Sequence, residues 1–363
     1  MFFSFLMAFQ NQILSFQKPN IVIMLLTNQQ VCGKMYMYNF ATVRPWSAFY
    51  PERSAMWSAR LDLGEHACMI MEMDAMNNYV IYTDSACDIK PALLSEWGVR
   101  YANLTFRFDG EEKEYSNDEM DIKTFYDRMR AGGVAKTAAV NVDGFAAAFE
   151  DSLKEGNDVL YLGFSSGLST TYNSARLAAQ QLQERYPERK IVTVDTLAAS
   201  AGFGMLVYLA VEQKKKGASL EDNAAYIKDV APRMCHWFTV DDLVYLKRGG
   251  RVSAAAAFFG GMLGIKPVMH VDDEGHLVPV AKVRGRRTSL AAMAQKYAEL
   301  AEDPEGGLVY ISHGDCLDDV NELAGMLKSK HGVDVDLITD VGTVIGAHAG
   351  PGVVALFFIG KNR

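Results

Sequence analysis

Val159-Leu-Tyr-Leu-Gly163-Phe-Ser165-Ser166-Gly167-Leu-Ser169-Thr170-Thr171-Tyr172-Asn-Ser174-Ala175 is the stretch on which the fold turns. Its first five residues are a short β-rich run, its middle is a turn of glycine and hydroxyl residues, and a helical pattern covers Tyr172–Tyr186. Strand, turn, helix is the unit from which parallel sheets are wound. Similar runs flank it, Tyr79-Val-Ile-Tyr-Thr-Asp84-Ser85 before and Ile191-Val-Thr-Val-Asp195 after, and helical patterns at Asp121–Arg130 and Asp143–Leu153 fall between the strands. The alternation predicts a doubly wound α/β domain over residues 78–235.

Working outward, an apolar helix pattern at Ala199–Glu212 runs into Lys214-Lys-Lys-Gly217, and Ser219-Leu-Glu-Asp reads as a capping-box-like start of another helix. We place a domain boundary near Cys235. Strand patterns at Val268–Val271, Leu277–Val283, Leu308–Ser312, Val335–Ile338 and Val353–Ile359 surround helical ones at Thr288–Ala301 and Asp318–Lys330, which predicts a second α/β domain over 236–363. Residues 1–77 hold no sustained period of 2 or 3.6, and methionines crowd at 69, 71, 73 and 76. They read as an extraneous or disordered extension, with Met73 or Met76 as the working start.

The composition narrows the function. With 36 basic against 44 acidic residues the formal charge is −8, which argues against a general electrostatic hold on nucleic acid or anionic membrane. Cys32, Cys68, Cys87, Cys235 and Cys316 fall at no metal-like or disulfide-like spacing, so a reducing, cytoplasmic setting without a structural zinc is expected. The apolar run Phe2–Phe9 is broken by Ser4, has no basic residue ahead of it and lacks a small-residue cleavage site; neither a signal peptide nor a membrane span is expected.

The Ser/Thr-rich turn between Gly163 and Ser174 is the sharpest chemical feature. A turn that enters a helix can offer free backbone N–H groups and the positive end of the helix dipole, and its hydroxyls add neutral donors. That suits an anionic head group; Ser169 or Thr170 acting only as a helix cap is the simpler reading. Gly163 to Gly167 also spells G-x-S-x-G, so a hydrolase with Ser165 as nucleophile, His348 as base and Asp340 as acid is an alternative. Asp84 reads as the N-cap of a helix with Asp88 in its first turn, in preference to a phosphoryl acceptor or magnesium ligand.

Three further segments carry charge or small apolar residues. Leu246-Lys-Arg248-Gly-Gly-Arg251 is a cationic Gly-Gly turn whose guanidinium groups suit a carboxylate or phosphate. Ala254 to Pro267 is small and apolar almost all round, fit for a core or a lipid tunnel. Lys282-Val-Arg284-Gly-Arg286-Arg287 is a second basic cluster, a solvated face or a protein-docking patch. His313 could pair with Asp315, and His348 sits in the glycine-bounded Gly346-Ala-His348-Ala-Gly350-Pro-Gly352.

Together, Tyr82-Thr-Asp84-Ser85, Ser165-Ser-Gly-Leu-Ser169-Thr-Thr-Tyr172, Asp195-Thr, Leu246-Lys-Arg248-Gly-Gly-Arg251, Lys282-Val-Arg284-Gly and Gly346-Ala-His348-Ala-Gly350-Pro-Gly352 resemble the DegV family, in order and spacing, from about Asn78 to the C-terminus. The resemblance implies two α/β domains, the first with a mostly parallel sheet covered by helices on both faces, and a ligand between them. It implies a carrier of a long-chain fatty acid, not an enzyme in itself, with no cofactor beyond the bound lipid. A separate fatty acid kinase subunit would phosphorylate the carboxylate to an acyl phosphate for phospholipid synthesis. It also implies head-group contacts from Thr137 and Ser169, supporting roles for Arg248 and His348, and kinase docking by Arg284. Where the family usually reads Thr-Ser-Gln-Pro this chain has Thr137-Ala-Ala-Val, and Thr170 replaces the usual glycine after Ser169. Those changes remove a donor and a rigid turn.

Overall fold

The computed structural model describes residues 78–252 and 264–363, and, nearer the start, three strands. These are β1 (Ile13–Lys18), β2 (Ile21–Leu26) and β3 (Tyr36–Asn39), paired antiparallel in that order. The chain divides into two units, Met1–Met71 and Glu72–Arg363. The rest of the 1–77 extension lies outside the described residues, as does most of the small apolar run after Ala254.

In the second unit the chain begins with β4 (Tyr79–Asp84), α1 (Pro91–Glu96) and β5 (Val99–Ala102). There follow β6 (Thr105–Phe108), β7 (Tyr115–Ser116), α2 (Ile122–Arg130) and β8 (Ala135–Ala138), then α3 (Val142–Lys154), β9 (Asp158–Gly163), α4 (Thr171–Arg185) and β10 (Ile191–Asp195). The helix starts obey local chemistry: the Asp121 carboxylate caps α2 by accepting from the Thr124 N–H, and Asn141 caps α3 by accepting from Gly144. Four strands pair in the order β10-β9-β4-β5, all parallel. Period-2 alternation splits β9 between two cores. Val159 and Tyr161 face Phe145, Phe149 and Leu182 of α3 and α4, while Leu160 and Leu162 face the opposite layer.

That opposite layer is α5 (Ser200–Lys215) and α6 (Leu220–Val230), the latter capped by Ser219. Next come β11 (Met234–Thr239), α7 (Val244–Gly249), β12 (Ile265–Val271), β13 (Leu277–Arg284) and α8 (Arg286–Leu300). The chain closes with β14 (Val309–His313), α9 (Leu317–His331), β15 (Leu337–Asp340), α10 (Thr343–Ala349) and β16 (Val354–Ile359). The second sheet is mixed, ordered β13-β12-β11-β16-β14-β15, with β14 and β15 parallel and the other pairs antiparallel. The change of sheet falls ahead of Met234, so the boundary expected near Cys235 lies inside β11.

One face of this sheet carries α8 and α9, through Trp237, Met293, Tyr297 and Leu327. The other face joins the first sheet's core, which runs continuously from Tyr79 to Phe357. Helix α5 lies between the two sheets, and this is why Ser200 to Val207 are all buried: a helix enclosed on all sides can be apolar on all sides. A small antiparallel sheet, β7-β6-β8, packs with α2 against Ala347 of α10, through Phe106, Phe108, Phe125 and Tyr126. That contact brings Thr137 of β8 to His348 of α10.

Candidate ligand-binding cavity

A cavity of about 560 Å³ opens where the two sheets face each other, within the range of about 300–1,000 Å³ usual for small-molecule sites. Phe164, Phe238, Leu246, Leu277, Val344 and Phe357 make much of its wall. Its mouth carries Thr137, Ser169, Thr170, Arg251 and His348. Of these, Thr170 and Arg251 are exposed.

The Thr137 hydroxyl and His348 Nε2 lie 2.9 Å apart, 211 residues distant in sequence. His348 Nδ1 is buried without a hydrogen-bond partner, pressed against the Cα of Gly249. Burial, with the nearby Arg251 charge acting in the same direction, holds the imidazole pKa down at about 4. The ring is therefore neutral at neutral pH.

Ser169, just ahead of the N-cap Thr170 of α4, holds the first N–H of the helix and lines the cavity at the same time. Its Oγ accepts from the Thr171 N–H at 3.2 Å and lies 2.8 Å from the Thr171 hydroxyl. The backbone of the turn, in contrast, is largely spent on itself. The N–H groups of Gly167, Leu168 and Ser169 donate to Ser165, and that of Ser166 to the Asp195 carboxylate. The expected free N–H cradle is not formed by these four; hydroxyls, the imidazole and a guanidinium are what the mouth offers.

Arg248 is not among the residues that line the cavity: it is exposed, with its guanidinium 5.8 Å from the ring centre of Tyr245. Arg251, three residues on, lines the mouth and donates to the Leu168 and Gly249 carbonyls. The left-handed Gly250 (φ 68°) between them ends α7 and turns the chain.

Ser165 is fully buried, donates to the Gly275 carbonyl at 2.9 Å and accepts from Gly167 at 3.2 Å. His348 is engaged by Thr137, and the Asp340 carboxylate lies 3.8 Å from His313. The three residues of the hydrolase alternative therefore do not meet as nucleophile, base and acid. Asp84 accepts from Ala86, Tyr161 and Phe164, so it caps the short turn after β4, and burial raises its carboxyl to about 6. Asp88 sits in the left-handed region (φ 51°) and ties the two halves, accepting from the Ser200 hydroxyl and the Gly342 N–H. Burial lifts it to about 7, helped by the charges of Asp340 and Asp84.

In the second basic cluster Arg284 is exposed, whereas Arg286 turns inward to the Gly352 carbonyl and the Asp319 carboxylate, and Arg287 pairs with Glu322. Asp315 pairs with Arg130, not with His313. The sequence reading missed Arg251, His236, Ser200 and Ser312 as lining residues. Arg251 was legible as the second arginine of its motif; nothing in the local sequence marks the other three.

Fold and cavity define a two-sheet α/β protein enclosing an apolar space with a neutral and cationic polar mouth. The chain belongs to the DegV family, described as uncharacterised proteins, whose profile matches residues 78–361. It is 40% identical over 289 residues to a DegV domain-containing protein of Clostridium perfringens, covering 79% of this chain and 99% of that one. Among solved structures it is similar to a DegV family protein from Thermus thermophilus described as binding fatty acid, at 30% identity and a TM-score of 0.70, covering 78% and 99% of the two chains. It is also similar to a stearic-acid-binding protein from Eubacterium ventriosum, at 26% identity and a TM-score of 0.70, covering 78% and 98%. Among the described residues, no helix is long and apolar enough to cross a membrane.

Proposed function

We propose that this protein is a cytoplasmic carrier that holds a long-chain fatty acid in the cavity and presents its carboxylate at the mouth to a partner kinase for acyl-phosphate formation. The observation that carries the reading is an apolar cavity whose mouth brings together Thr137, His348, Ser169 and Arg251. If the neutral imidazole donates from Nε2 to Thr137, the threonine proton is free for a carboxylate oxygen, and the Arg251 charge opposes the carboxylate from the same side. Binding of the tail needs no special chemistry, since each buried methylene contributes about 0.8 kcal/mol. In this reading the carrier makes and breaks no bond itself. Exposed Arg284, with its planar fork of donors, supplies a docking contact for the kinase.

Native mass spectrometry of the protein purified from a bacterial host tests the reading. A retained fatty acid is expected, and Thr137→Val and Ser169→Ala should each lower retention by about tenfold or more, the cost of a hydrogen bond to a charged group. Arg284→Ala should keep its lipid yet slow phosphorylation by the host's acyl kinase. A wild-type protein that neither carries nor takes up fatty acid would overturn the carrier reading, and normal phosphorylation of the Arg284 variant would remove the docking role.

A further inference from the structure

Deeper in the cavity the wall is not wholly apolar. Ser200 and Ser312 both line it, at 5% and 0% exposure, and their hydroxyls lie 2.9 Å apart. Ser200 donates to Asp88, whose other carboxylate oxygen accepts from Gly342. With Asp88 ionised the direction of the chain follows: Ser200 has one proton, given to Asp88, so Ser312 donates to Ser200. The Ser312 oxygen is then left with unused lone pairs on the cavity surface, and no other hydrogen bond engages its side chain among the described residues. His236, the remaining polar group of this inner wall, has both ring nitrogens occupied, one at the Met234 carbonyl and one at the Ala199 N–H.

The position of this acceptor follows from α10. Gly342, which binds Asp88, is its N-cap, and His348 of the mouth stands six residues further along. At 1.5 Å per residue the two ends are about 9 Å apart. Ser312 and His348 line the same cavity, so an acyl chain whose carboxylate rests at His348 has Ser312 on the wall around it. A plain methylene placed there offers the Ser312 oxygen no second partner, whereas a hydroxyl would supply one.

We propose that the cavity selects a fatty acid bearing a hydroxyl group on its mid-chain, which donates its proton to the Ser312 hydroxyl oxygen. The inference rests on the fatty-acid reading and adds to it a chemical class of tail. Competitive binding of stearate against a series of hydroxystearates, differing only in where the hydroxyl sits, tests it on the full chain. One mid-chain isomer should bind roughly three- to tenfold more tightly than stearate, the worth of one hydrogen bond. Isomers hydroxylated next to the carboxylate or at the tail end should gain nothing. In Ser312→Ala the ratio between the favoured isomer and stearate should fall to about one. A wild-type protein that binds stearate and every isomer alike overturns the proposal without any variant, as does a Ser312→Ala protein that keeps the preference. Failure of stearate and all isomers to bind would instead overturn the fatty-acid reading beneath it.

Discussion

Gly249 has no side chain because the His348 imidazole occupies the place where a Cβ would be. Alanine is otherwise a better helix residue than glycine, so nothing in α7 itself resists the change. Gly249→Ala should push the ring away from Thr137 and lower fatty-acid retention by about tenfold while leaving the circular dichroism spectrum unchanged; titration with a fluorescent fatty acid reads both proteins. Undiminished binding would show that the ring's position does not matter to the ligand. At this scale the sequence told part of the story. Thr137, Ser169 and His348 came from a motif resemblance, and the structure brings all three to one mouth. Arg248 and Arg251 are both arginines of one short motif, and which of them faces the cavity depends on the left-handed turn at Gly250.

The β12–β13 hairpin is the element that closes the cavity's side. Val271 and Leu277, which flank its turn, line the wall. Its tip is held by the Ser165 hydroxyl on the Gly275 carbonyl and by the Arg363 guanidinium on the Asp272 carbonyl at 2.9 Å. Ser165→Ala should leave a buried carbonyl unpaired, at a cost of about 1 kcal/mol or more. Amides of the hairpin should then exchange with deuterium several-fold faster, with α8 and α9 unaffected. Unchanged exchange together with loss of a hydrolytic activity would revive the nucleophile reading of Ser165. Long elements were legible in the sequence: α3, α4, α8 and α9 lie within two residues of their expected bounds. The short elements β5, β6, β7, β8, α1, α7 and α10 were not, because strands of two to four residues and helices of six or seven hold no more than two periods of their own pattern.

Across the whole second unit, burial sets opposing pH dependences. Asp84 at about 6 and Asp88 at about 7 are raised from 3.8, so the folded protein binds their protons first. Their contribution is fully present below about pH 4 and is lost as pH rises through those values. His236, held down to about 3 chiefly by burial, and His348 at about 4 are lowered from 6.5. Their contribution is present above pH 6.5 and is lost as pH falls. Between about pH 6 and pH 5 the two effects oppose. Asp88→Asn removes one of the acid-favoured groups, so relative to wild type the variant should lose stability on acidification, by up to about 1.4 kcal/mol per pH unit. Urea unfolding at the two pH values measures the gap; a constant gap would mean that Asp88 is ionised throughout. The sequence by itself determined the alternating α/β order and the strand–turn–helix at 159–175, because periodicity records which faces of an element must be apolar. Tertiary structure alone decided that β11 joins the second sheet, that α5 is enclosed between both sheets, and that Ser200, Ser312 and His236 line the cavity. A residue's local neighbours carry no record of a partner on the far sheet, and burial is settled only when the two sheets close on one another.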